Sequence, residues 1–93
     1  IYNVIDIVEA LHMPVVNDLL SMAINETKKL EPGEVFLVRD LFKGYQWNRI
    51  SRSDRLLLGT LFLNFTNSNG VNVIPIEKTS SGQQKYRIKS VTE

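Results

Sequence analysis

The 93 residues predict an α+β fold, mainly α, ordered as a winged helix-turn-helix with added N-terminal helices and a C-terminal β-hairpin as the wing. Three features predict it. Apolar residues recur at three- and four-residue spacing through the first third of the chain and again over 52–66. A short β-prone run, "VFLV", lies between those helical stretches. The chain closes with two extended runs, "VNVIPIEK" and "QQKYRIK", around a "TSSG" bend.

Asn3 can cap a first helix through about His12, in which Val4, Ile5, Ile7, Val8 and Leu11 leave only Asp6 and Glu9 clearly polar. Pro14, suited to a first helical position, is expected to open a second helix with Val16, Leu19, Leu20, Ala23 and Thr27 as its stripe. "LEPGE" ends it. "RDLF" can add a turn of helix after the strand, and "YQWNRI" reads as a loop. Ser51 with Asp54 three residues on resembles a capping box at the head of a helix through about Thr66. On a helical wheel Leu57, Leu58, Leu61, Phe62 and Phe65 gather on the expected core face, and Leu56, Gly59 and Leu63 form a second apolar stripe suited to an interface. Pro75 makes the first hairpin strand an edge or a bulged strand. The whole chain, 1–93, is expected to form one domain, with N-terminal helices over 1–30 and a winged-helix-like core over 32–89.

Composition narrows the function classes. A hydrophobic fraction of 43% and a charged fraction of 23% are ordinary for a globular protein, and no apolar run approaches the ~20 residues of a membrane span. With no cysteine, disulfides, thiolate metal sites and a catalytic thiol are excluded, and a cytoplasmic address fits best. The net charge of +1 conceals an asymmetry: residues 1–34 sum to −4 and residues 35–93 to +5. That split points to an anionic partner for the second part, or to complementarity within or between subunits.

The stretches "PGEVFLVRDLF", "WNRISRSDRLLLGTLF" and "KTSSGQQKYRI" resemble a family of short bacterial proteins, found also in phages or mobile elements, built around a domain of unknown function. The resemblance covers about residues 32–88. It implies a small winged-helix-like fold and, from some relatives, DNA binding; it implies no activity, cofactor or catalytic residue.

The sharpest candidate site is the row Lys85, Arg87 and Lys89, at alternate positions of the last strand and therefore on one face, with Lys78 across the bend. Tyr86 and Ile88 should face the core and drive the cations outward. Phosphate-backbone contacts are one use of such a row; charge protection of an edge strand is the other. Arg49, Arg52 and Arg55 near the head of the long helix extend the basic set, and Tyr45 is the candidate for an exposed stacking ring. Trp47 reads as a core anchor. His12, the single histidine, has no ligand-spaced partner and reads as a helix-end residue, so no metal is expected. No cofactor and no catalysis are expected either, since Asp6 and Glu9 lack a basic or nucleophilic partner. The function expected from the sequence is a non-enzymatic nucleic-acid-binding module, DNA before RNA, acting as a homodimer without membrane contact. The alternative is a protein-interaction module of a phage or mobile element that regulates or inhibits a larger enzyme.

Overall fold

The computed structural model describes the backbone of residues 4–90 and the side chains of residues 16–90. In chain order the elements are α1 (Val4–Thr27), β1 (Val35–Leu37), a 3-10 turn (Val38–Leu41), α2 (Gly44–Asn48), α3 (Arg52–Thr66), β2 (Val73–Lys78) and β3 (Gln84–Ile88). This is an α+β fold with three α-helices and a three-stranded antiparallel sheet in the order β1-β3-β2.

The two expected N-terminal helices are a single helix of 24 residues that runs through Pro14. A proline removes one backbone donor, which a helix propagating from both sides can span. His12 accordingly falls within α1 rather than at a helix end, and Asn3, the expected cap, lies outside the described residues. The expected loop 45–50 is largely helical as well: Lys43 N–H donates to Gln46 Oε1 at 2.9 Å, and Gly44–Asn48 form α2. Ser51 caps α3 as expected, its hydroxyl accepting from Asp54 N–H at 3.2 Å.

Aromatic side chains from three elements build the core. Phe62 of α3 meets Tyr86 of β3 edge-on at 4.9 Å between centroids, and Phe36 of β1 stacks on Tyr86 at 5.8 Å. Leu58, Val73 and Ile88 complete this layer, and Ala23 of α1, fully buried and small, joins the same cluster. Leu57, expected in the core, is 48% exposed. It lies 100° around the helix from Leu58, and the covering elements reach only the narrower face centred on Leu58 and Phe62.

Thr79 to Gly82 form a tight turn, with Gly82 N–H donating to Thr79 O at 2.9 Å and Gly82 at φ 90°, where only glycine is unstrained. β2 lies at the sheet edge and carries an irregularity between Pro75 and Lys78, as a proline in a strand demands. β3 is the central strand, paired with β1 through Phe36–Tyr86 and with β2 through Val73–Ile88. The reading of the Lys85 row as protection for an edge strand is therefore corrected.

Candidate nucleic-acid interface

Alternation along β3 divides the hairpin into two chemically different faces. Tyr86 and Ile88 are buried against α3, so Lys85 and Arg87 occupy the opposite face of the sheet, with Lys89 following them just beyond the strand. There they stand between the strands of their neighbours: Arg87 is flanked by Val35 and Ile74, and Lys85 by Leu37. Lys85 Nζ also pairs with Glu77 Oε1 at 2.8 Å. That hydrogen bond from Lys85 holds the Glu77 carboxyl below its ordinary range.

On the other side, between α3 and the turn end of the hairpin, runs a groove of about 450 Å³. Its helical wall is Leu56, Gly59 and Leu63, the second stripe read from the wheel, together with Thr60. Leu56 is 65% and Leu63 37% exposed, so no described residue covers this wall fully. The hairpin wall is Lys78, Gly82, Gln83 and Gln84, with the Tyr86 ring at the base. Burial pushes the Tyr86 phenol above its ordinary pKa, so it remains a neutral hydroxyl.

Among the described residues four cations line this groove, Arg39, Arg52, Arg55 and Lys78, and no carboxylate does. The nearest acid in sequence to Arg39 is Asp40, which turns away to accept from Leu37 N–H at 2.9 Å and so starts the 3-10 turn. Arg52 and Arg55 sit in the first turn of α3, where the helix dipole disfavours cations and favours anions. Arg55 is the most constrained of the four. Its guanidinium lies 5.1 Å from the Trp47 ring centroid and donates to Trp47 O at 2.9 Å, tying α3 to α2, while its Nε is buried without a hydrogen-bond partner. Trp47 in turn packs on Phe42 at 5.9 Å, the anchoring role expected of it.

The residues proposed from sequence thus occupy three places. Lys78, Arg52 and Arg55 share the groove with Leu56, Gly59 and Leu63, so part of the expected basic set and the expected interface stripe line one feature. Lys85, Arg87 and Lys89 lie on the far face of the sheet. Tyr45 and Arg49 belong to the α2 corner, where the Tyr45 ring is 53% exposed and the Arg49 guanidinium stands 5.1 Å over it. Arg49 also lines a smaller hollow of about 310 Å³ with Leu19, Met22 and Ile50. Sequence reasoning did not single out Arg39. Its place in the groove depends on β1 pairing with β3, a contact between residues some fifty positions apart that no local pattern announces. Among the described residues no group of three or more His, Cys, Asp or Glu side chains is placed to hold a metal ion. No helix among them is long and apolar enough to cross a membrane.

The fold has a counterpart among solved structures. A chain named SCCmec type IV LP1413, a nucleic acids binding protein, superposes with a TM-score of 0.64 over 84% of this chain and 98% of its own, at 18% sequence identity. At that identity the likeness is one of fold. A comparison with curated proteins gives no match. The model of the domain of unknown function DUF1413 matches residues 21–87, most of the chain, and the protein belongs to that family.

Proposed function

We propose that this protein is a non-enzymatic nucleic-acid-binding module, one domain of winged-helix architecture, that holds a phosphate backbone in the groove between α3 and the β2–β3 hairpin. The observation that carries the reading is the groove's lining: four cations, no carboxylate among the described residues, and the neutral amide of Gln83. The order helix, strand, helix, helix, hairpin, with the first strand paired to the last, supports the architecture, α3 taking the place of the recognition helix and the hairpin that of the wing. The nucleic-acid-binding name of the structural counterpart points the same way. DNA, expected before RNA from the sequence, is the polymer of this reading.

Titration with labelled single- and double-stranded oligonucleotides across a salt series tests this. Each phosphate neutralised contributes roughly −0.9 to the slope of log affinity against log salt on duplex and roughly −0.7 on single strands. Undetectable binding at low salt would refute the reading.

Self-association is the second reading, carried by the exposure of Leu56 and Leu63. A dimeric mass in light scattering that becomes monomeric in a folded Leu63→Glu variant would support it, and would put a second copy in the groove.

A further inference from the structure

Gly59 stands near the middle of α3, where glycine is the least favourable residue apart from proline. A fold retains a glycine inside a helix for one of two internal reasons, a backbone conformation closed to other residues or a neighbour too close for a methyl group. Neither holds here. Gly59 has ordinary helical geometry, unlike the positive-φ glycines of the turns, and a methyl group there would meet no described neighbour within 4 Å. The helix packing that does need a small residue is made elsewhere, by the fully buried Ala23 of α1. The space a methyl group would fill at Gly59 opens instead into the groove, with Leu56 one turn before and Leu63 one turn after on the same face.

We infer that Gly59 is a specificity-determining residue that serves the ligand rather than the fold: it lets the uncharged surface of a bound nucleic acid rest on the helix backbone while the phosphates meet the surrounding cations. The inference rests on the groove being the nucleic-acid site. It assigns to one residue the depth at which the chain of nucleotides sits, and it makes binding and stability respond to substitution in opposite directions.

Gly59→Ala and Gly59→Met, compared with wild type in thermal melts and in oligonucleotide titrations, test it. The alanine variant should melt about 4 to 8 °C higher, because a helix-interior methyl is gained at no steric cost. Its affinity should fall roughly tenfold, the effect of an overfilled contact, and the methionine variant should lose more. The salt slope should not change, since no charge is removed. A lower melting temperature for Gly59→Ala would mean that the glycine serves the fold, and unchanged affinity at a raised melting temperature would mean that the ligand does not approach this wall. Either overturns the inference and leaves the groove reading standing. Absence of oligonucleotide binding by the wild type overturns both.

Discussion

On either side of the β2–β3 hairpin stands a cluster of cations, four in the groove and three on the far face, in opposite settings. In the groove, Arg39, Arg52, Arg55 and Lys78 come from three separate elements, the 3-10 turn, α3 and β2, and converge on an apolar wall that no carboxylate among the described residues lines. On the far face, Lys85 and Arg87 stand in line on the central strand, hemmed by Val35, Leu37 and Ile74, and Lys85 is already paired with Glu77. One backbone cannot lie along both faces of a sheet at once. Regular spacing identifies a row; open space without a lining acid among the described residues belongs to the groove, and the proposal rests on that. The distinction is physical: a cation with a protein carboxylate beside it gains less from a phosphate than one without.

The comparison presumes the Phe62–Tyr86 contact, which separates the two faces, and breaking it should have the largest effect. Phe62→Ala removes a fully buried ring from the centre of the aromatic cluster and should cost about 3 to 5 kcal/mol, comparable with the whole stability of a small domain. Chemical denaturation should show loss of the cooperative transition; an unchanged midpoint would mean that the core is centred elsewhere.

A smaller effect is expected at Arg55. Arg55→Leu forfeits the stacking on Trp47 and the bond to Trp47 O, and should destabilise by about 1 to 2 kcal/mol. Arg55→Lys should recover little of it, because an ammonium cannot reproduce a planar stacked donor. Full recovery in urea melts would show that charge alone matters at this corner.

The least effect belongs to the far face. Glu77 is exposed, and its carboxyl titrates below the ordinary value because Lys85 hydrogen-bonds to the charged form. A depressed carboxylate stabilises the fold above its unfolded pKa, and the contribution is lost as pH falls through the folded one. Wild type should therefore melt slightly higher than Glu77→Gln at pH 7, and the gap should close as the pH is lowered below about 4. A gap that widens on acidification would contradict the pairing.

Much of the fold was legible because it is written locally. Ser51 and Asp54 announced the head of α3, "TSSG" the turn, and Pro75 the irregular edge strand. Tyr86 and Ile88 were correctly assigned inward by alternation alone. What escaped was set by distant partners. The central place of β3 depends on β1 arriving from the other end of the domain-sized stretch, and with it came the position of Arg39. The wheel ranked Leu57 with Leu58 because both are leucines near one face, whereas only contact with α1 and the sheet decides which is covered. The helical nature of 44–48 rests on a single Gln46 cap and on Trp47 meeting Phe42, too little for a pattern to register. The candidate site was half legible for the same reason: each residue type was visible, and which of them share a cavity was not.

The measurement that bears most directly on the groove as the nucleic-acid site is a paired salt titration. One variant carries Arg39→Gln, Arg52→Gln and Lys78→Gln, the other Lys85→Gln, Arg87→Gln and Lys89→Gln, so that each loses three charges from one face. Removing three phosphate contacts should flatten the slope of log affinity against log salt by about two to three units. The account predicts that flattening for the groove variant and a slope near wild type for the far-face variant. The reverse result, with the groove variant unchanged and the row variant flattened, would place the nucleic acid on the outer face of the sheet and contradict it.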